Sequence, residues 1–172
     1  MSTVRTVFSN QSDVAHFAGH PTASFLPVSV GKDAKQLFAA LKELPNLQGL
    51  NFRVEEDASD KYWSDLPALK KLAHFNWWSG LINAELLGTM SEMESLRSLL
   101  FQGSSVLAED FPEGLKQLAR LERLTLRAQE ELCSDDLRAA LRSLQHLKEW
   151  PELENAFQQR ASMRLATTDS GG

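Results

Sequence analysis

The 172-residue chain has a single cysteine and no long apolar run. Cys133 has no second cysteine with which to form an internal disulfide, which is typical of a protein from a reducing compartment. No stretch approaches the ~18 uninterrupted apolar residues that a membrane span requires, and residues 1–17 lack the apolar core of a secretion signal. The sequence therefore predicts a cytoplasmic protein that does not span a membrane.

Basic residues are also in the minority, since 18 Lys and Arg stand against 23 Asp and Glu for a net charge of −5. Nucleic-acid binding needs clustered cations to neutralise phosphates, so we expect no nucleic-acid partner. Gly31-Lys32 lacks the earlier glycine of a phosphate-binding loop, and we expect no cofactor. A basic protein partner is compatible with this charge.

Residues that could carry catalysis or bind a metal are few and poorly placed. His16 and His20 have helical spacing, but Gly19 lies between them and Pro21 follows. Cys133 occupies an apolar position, and burial would leave its thiol unreactive. Acidic clusters occur at Glu55–Asp57, Glu130–Glu131 and Asp135–Asp136. These acids lie in expected loops or at a helix start, so we predict no enzyme and no metal site, with a small hydrolase using loop acids or histidines as the alternative.

Three segments can be aligned with one another: Leu81–Phe101, Val106–Leu126 and Leu132–Trp150. Apolar residues recur at matching offsets, as at Leu96, Leu121 and Leu147, with a separation of roughly 25 residues from each copy to the next. A period of this size indicates a stack of small structural units.

Each unit contains the pattern apolar-x-x-apolar-x-apolar. Copies begin at Phe25, Leu47, Leu69, Leu96 and Leu121, with a weak sixth at Thr3. The alternation that ends the pattern predicts a short strand. Asn83 and Ser134 precede acidic residues and predict helix N-caps, and residues 32–44 have the composition of a helix. A unit therefore consists of a helix, a turn and a strand.

This pattern resembles the leucine-rich-repeat family, whose strand signature is L-x-x-L-x-L. The resemblance covers roughly residues 25–150. It implies an α/β solenoid of five to six repeats, each of roughly 22 to 27 residues, with short parallel strands on the concave side and helices on the convex side. The family's loop asparagine is replaced by Glu55, Trp77, Ser104 and Gln129, so other contacts must hold these loops. A helical-repeat solenoid is the structural alternative, but it leaves the alternation unexplained.

The ends of the chain are expected to cap the repeats, because a solenoid otherwise exposes apolar faces and strand edges. Residues 1–24 are predicted to form an N-terminal cap with a short helix at Ser12–Gly19. Residues 25–150 form the repeat domain and residues 151–165 a C-terminal capping helix. Residues 166–172 have too little apolar surface to be ordered.

The repeat pattern also predicts a binding surface. Three aromatic residues, Phe75, Trp77 and Trp78, come immediately after a predicted strand, and alternation cannot bury all three. The alternative is that Trp77 and Trp78 fill the loop after this strand in place of the asparagine. His74 falls in an apolar position, where a partly buried, hydrogen-bonded histidine is expected. Tryptophan and arginine are frequent anchors of protein interfaces. The predicted partner-binding residues are Arg53, Lys71, Phe75, Trp77, Trp78, Leu100, Gln102, Arg123 and Arg127.

We therefore predict a non-enzymatic module that binds a protein partner through its concave strand face and adjoining loops, with a monomer favoured. The basic residues on that face suit a partner with acidic side chains. One version is an immunity or inhibitor protein that neutralises a bacterial toxin domain. The other is a secreted effector or adaptor that recruits a host protein.

Overall fold

The computed structural model describes residues 24–32, 34–55, 62–126 and 134–150. Their elements in chain order are β1 (Phe25–Val30), α1 (Ala34–Lys42), β2 (Gly49–Val54), a 3-10 helix (Tyr62–Ala68), β3 (His74–Ile82), α2 (Ala84–Ser91), β4 (Ser98–Leu107), α3 (Phe111–Leu115), β5 (Arg123–Leu126) and α4 (Asp135–Ser143). The strands form one parallel sheet in the order β1-β2-β3-β4-β5. The predicted α/β architecture with short parallel strands is confirmed, and the all-helical alternative is wrong.

A recurring hydrogen bond relates the units to one another. The carbonyl of Ser24 accepts the backbone N–H groups of Gln48 and Gly49, both at 2.9 Å. The same arrangement recurs one unit later each time, with the carbonyls of Gln48, Ala73, Arg97 and Glu122 as acceptors. The last of these accepts from Lys148 and Glu149. Equivalent residues therefore lie 24 to 26 positions apart, a narrower range than the sequence predicted.

The strand register corrects the pattern predicted for the third unit. Trp77 pairs with Phe52, and His74 pairs with Gly49. The third copy of the pattern therefore begins at Leu72, three residues later than predicted. Trp77 is fully buried and His74 is exposed, so the expected partly buried histidine is wrong.

The first unit needs a similar correction. Leu26 pairs with Leu50 and Val28 with Phe52, so these two residues occupy the core positions of β1. The predicted copy started at Phe25 and was two residues out of phase. Phe25 instead lies on the opposite side of the strand with 42% of its surface exposed.

The core lies between the helices and one face of the sheet. Along each strand the inward residues alternate with residues on the other face, as the two-residue period of a strand requires. At its centre is an aromatic cluster made of Phe38, Phe52, Phe75 and Trp77, all fully buried. The ring of Phe52 lies 4.9 Å from Trp77 and 5.2 Å from Phe75, measured between centroids.

The predicted helix starts are confirmed. Asn83 Oδ1 accepts the N–H of Leu86 at 2.9 Å at the start of α2. Ser134 Oγ accepts the N–H of Leu137 at 3.1 Å at the start of α4. Each side chain satisfies one of the N–H groups that a helix leaves without a partner in its first turn.

The ends of β1, β2 and β3 are tied by side chains instead of asparagines. Ser79 Oγ accepts the N–H of Val54 at 3.2 Å and donates to its carbonyl at 3.0 Å. Ser29 Oγ donates to the Glu55 carboxylate at 2.5 Å. The register of β3 and β4 shifts just before Ser79, and Gly80 has a φ of 105°, which favours glycine. These contacts hold the ends of the three strands against one another.

Several predicted features lie outside the described residues: the N-terminal cap, Cys133, the C-terminal capping helix and the C-terminal tail. Of the helices in the described part of the chain, none is long and apolar enough to cross a membrane.

Candidate partner-binding face

The face of the sheet opposite the core is referred to below as the open face. It consists of the strand residues that alternate with the core residues: Phe25, Pro27, Ser29, Gly49, Asn51, Arg53, His74, Asn76, Trp78, Ser98, Leu100, Gln102, Arg123 and Thr125. Because the strands are parallel and in register, equivalent residues of successive units form rows across the sheet.

The middle row contains an amide pair. Asn76 Nδ2 donates to Asn51 Oδ1 at 2.7 Å across β2 and β3. Pro27 and Leu100 continue the row on either side, and all four side chains are partly exposed. Cross-strand pairs of this kind stabilise a sheet and fix the position of the side chains that form them.

Arg53 and Trp78 lie beside each other on neighbouring strands. Phe52 pairs with Trp77 just before them, and Ser79 Oγ accepts the N–H of Val54 just after them. Trp78 is partly exposed and Arg53 is exposed. Within the described part of the chain, Arg53 has neither an ion-pair nor a hydrogen-bond partner. An exposed cation without a counter-ion among the described residues therefore lies near a partly exposed indole.

The row that begins at Phe25 has a different character. The Phe25 ring lies across Gly49, where a Cβ would fall 2.0 Å from ring atom Cδ2. Only glycine leaves room for the ring in this position. His74 follows in the same row and is exposed.

At the far end of the sheet the charges are already paired. The Arg123 guanidinium donates to both carboxylate oxygens of Glu149, at 2.5 and 3.0 Å. Glu122 accepts from Lys148 at 3.3 Å and lies 3.7 Å from Arg97. Such exposed pairs contribute little stability, but they neutralise this end of the open face.

The hydrogen bond from Arg123 lowers the pKa of Glu149, with the positive charges of Arg123 and Lys148 adding to the effect and burial opposing it. A lowered pKa in the folded state means that folding favours the ionised form. The small stabilisation is therefore present above the ordinary carboxyl range and is lost as the pH falls through the lowered pKa.

We expect the substitution Arg123→Gln to raise the pKa of Glu149, because it removes the donor and its charge. The pKa can be measured from the NMR chemical shift of the Glu149 carboxyl carbon as the pH is lowered, in the wild-type protein and in the variant. Identical titration curves in the two proteins would show that the pair does not form in solution.

Four of the predicted binding residues lie on the open face with accessible side chains: Arg53, Trp78, Leu100 and Arg123. The accessible member of the aromatic triplet is thus Trp78. The prediction is wrong for Phe75 and Trp77, which have no exposed surface, because the corrected register turns them into the core.

Two further predicted residues do not contribute an accessible side chain there, and a third is not among the described residues. Lys71 lies in the turn before β3, where its Nζ donates to the carbonyl of Pro45 at 2.6 Å. Gln102 belongs to the open face but is only 8% exposed. Arg127 lies outside the described residues.

Phe25, His74 and Asn76 are open-face residues that were not among the predicted binding residues. A uniform spacing of roughly 25 residues between copies would have identified all three. The copies predicted from the sequence were unevenly spaced, and this unevenness allowed the wrong phase in the first and third units.

Other sites for chemistry are not evident in the described part of the chain. No group of three or more histidine, cysteine or acidic residues there could hold a metal ion. Two cavities of about 220 and 150 Å³ lie between the turns of successive units. The larger is lined mainly by leucine and methionine and the smaller by leucine and lysine, and neither is lined by a histidine or an acid.

Comparison with known proteins yields no family assignment. No family model matches the chain, and no curated protein matches it. Among solved structures, an internalin (InlF) from Listeria monocytogenes is similar with a TM-score of 0.42 and 18% sequence identity. The similarity covers 83% of this chain and 43% of the internalin chain, so the chain spans less than half the length of that structure.

Proposed function

We propose that the chain is a leucine-rich-repeat solenoid and acts as a non-enzymatic module that binds a protein partner on its open face. The observation that carries this proposal is the location of exposed apolar surface. Among the described residues, the exposed large hydrophobic side chains are Phe25 and Leu81. Phe25 belongs to the open face, and Leu81 lies near the end of β3, beyond the open-face rows. Each precedes a buried residue, Leu26 and Ile82 respectively, and so points away from the core. On the open face Phe25 is accompanied by the partly exposed Trp78 and Leu100, and exposed apolar surface commonly marks an interaction site where it is contiguous.

The size of the face indicates how much of an interface it supplies. Five strands at about 4.8 Å spacing and about six residues per strand give a patch of roughly 20 by 20 Å. A standard interface buries about 800 Å² on each partner. The patch supplies about half of that, so the adjoining loops complete the interface.

The charge of the face favours a partner with acidic side chains. Arg53 has no counter-ion in the described part of the chain, whereas Arg123 is neutralised by Glu149. The basic end of the open face is therefore near β2 and β3, although the whole chain has a net charge of −5. Complementary charge chiefly raises the association rate and selects among partners.

Within this class we put forward an inhibitor of a bacterial toxin domain, because a preformed sheet face can act by covering the active surface of its partner. An effector or adaptor that recruits a host protein is the other version. The two differ in a measurable way, since an inhibitor abolishes the partner's activity at equimolar ratio and an adaptor leaves that activity intact.

The open face is tested with the substitution Leu100→Glu. Leu100 is partly exposed in the middle row, and a charge there would be desolvated without a counter-ion on partner binding. We expect the affinity for a partner purified from the native source to fall at least tenfold, which corresponds to about 1.4 kcal/mol. The measurement is titration calorimetry with the purified partner.

The control is Ala139→Glu, which adds the same charge at an exposed position of α4 on the helical side. Its affinity should remain at the wild-type level, and circular dichroism should show that both variants are folded. Equal losses in the two variants, or no loss in either, would remove the open face as the interface.

A further inference from the structure

The corner of the open face formed by Asn51, Arg53 and Trp78 has the properties of a site for one particular chemical group. Arg123 has a carboxylate that accepts two hydrogen bonds from its guanidinium. Arg53 has no such carboxylate in the described part of the chain. A guanidinium is a planar set of donors that matches a carboxylate in shape and charge. Arg53 can therefore donate to a carboxylate of the partner in the way that Arg123 donates to Glu149.

Asn51 adds a second donor on the same strand. Its Oδ1 is held by Asn76 Nδ2, which leaves the Asn51 Nδ2 group without an acceptor among the described residues. Asn51 and Arg53 are two residues apart on one face, a distance of roughly 6.6 Å along the strand. A group that enters between them can accept hydrogen bonds from both side chains.

The acid closest in sequence is engaged elsewhere. Glu55 follows Arg53 by two residues, and its carboxylate accepts a hydrogen bond from Ser29 Oγ on β1. It forms no ion pair with Arg53. Among the described residues, no carboxylate therefore neutralises the exposed charge of Arg53.

Trp78 supplies an apolar neighbour to these donors. It is partly exposed and lies on β3, one residue after Trp77, which pairs with the residue before Arg53. When an acidic residue of the partner binds at Arg53, the adjacent residue of the partner lies over the Trp78 indole.

We propose that Arg53 and Asn51 bind a side-chain carboxylate of the partner protein, and that Trp78 packs against an apolar or aromatic residue adjacent to that acid. The proposal rests on the proposed function, and it specifies the partner segment as an acidic residue flanked by apolar ones. The amide pair with Asn76 holds Asn51 in position, so Asn76 acts as a positioning residue.

The test uses two synthetic peptides, N-acetyl-Phe-Glu-Phe-amide and its glutamine analogue, titrated into the full chain and followed by NMR. The glutamate peptide should shift the side-chain signals of Arg53, Asn51 and Trp78. The glutamine peptide should bind roughly tenfold more weakly, because a hydrogen bond to a charged group is stronger than a neutral one. Equal binding of the two peptides, shifts confined to another surface, or no shift with either peptide would each overturn the proposal.

Two protein variants complete the test. Arg53→Gln should abolish the preference for the glutamate peptide. Arg142→Gln should retain it, since Arg142 is exposed on α4 and the two variants lose the same charge. Loss of the preference in both variants would show a general effect of net charge and would contradict a site at Arg53.

Failure of this site and failure of the proposed function give different results. A partner whose binding is weakened by Leu100→Glu but not by Arg53→Gln would overturn the carboxylate site and leave the open face as the interface. A partner insensitive to both changes would overturn both.

Discussion

Replacing Trp77 with alanine is expected to destabilise the protein by about 3 to 5 kcal/mol, the usual cost of truncating a buried aromatic side chain. Trp77 has no exposed surface, and its ring lies 4.9 Å from Phe52 and 5.7 Å from Phe75. The surrounding sheet and helices can collapse only in part around the space that the indole leaves. A loss of this size is a large share of the ~5 to 15 kcal/mol that stabilises a typical domain.

The neighbouring tryptophan is the matched control. Trp78→Ala removes the same side chain from the open face, where it is partly exposed, so we expect a much smaller loss of stability. Equilibrium unfolding in urea gives both free energies. If Trp78→Ala proved the more destabilising change, the strand would have the opposite face towards the core, and the register of β3 would be wrong.

The second large effect is expected for Gly114→Ala, which should destabilise the protein by about 1 to 3 kcal/mol through overpacking. Gly114 is buried in α3, and a Cβ there would fall 2.6 Å from the Cα of Ala84 and 3.0 Å from the Cβ of Leu87. The first of these is a backbone atom. The added Cβ can be accommodated only if α3 moves away from α2, and this movement would loosen the packing between two units.

Gly88→Ala in α2 tests the same change without the clash. The nearest atom to its Cβ would be Gln117 Oε1 at 3.1 Å, the end of an exposed and flexible side chain. Alanine is favoured over glycine in helices by about 1 kcal/mol, so Gly88→Ala should be neutral or stabilising. Thermal unfolding distinguishes the two outcomes, and a lower melting temperature for Gly88→Ala than for Gly114→Ala would contradict the packing described between α2 and α3.

The elements whose signals are local were predictable from the sequence. The caps at Asn83 and Ser134 depend on a side chain and an N–H three residues later. The strands Gly49–Val54 and Arg123–Leu126 depend on alternation within a few residues. In both cases the physical cause lies within one unit, so no knowledge of the neighbouring units was needed.

Local alternation alone does not determine at which residue the apolar pattern starts in the third unit. Leu69, Leu72 and Phe75 are spaced by three, so two overlapping copies of the pattern are available. The choice depends on whether His74 or Trp77 fills the last core position. Pairing with β2 decides it, since Trp77 lies opposite Phe52 and completes the aromatic cluster.

The candidate site depends on that same pairing. The hydrogen bond between Asn51 and Asn76 forms only when the two residues lie opposite each other, which the register fixes. Whether an arginine has a carboxylate partner is also a property of the register, as the bond between Arg123 and Glu149 shows. The sequence predicts which residue types lie on strands, but their cross-strand neighbours come from the fold.

At the start of each described unit, one carbonyl of the preceding unit accepts two N–H groups, and this repetition allows units to be added to such a protein. In the described part of the chain, from Ser24 to Glu149, each unit bonds to the equivalent carbonyl of the unit before it. An inserted segment of one repeat length, roughly 25 residues, could therefore join the sheet without disturbing the rows already present. The surface available to a partner would widen by one strand, about 4.8 Å, at each such step. Gene duplication within the repeat thus offers a graded way to enlarge the footprint while the existing contacts are kept.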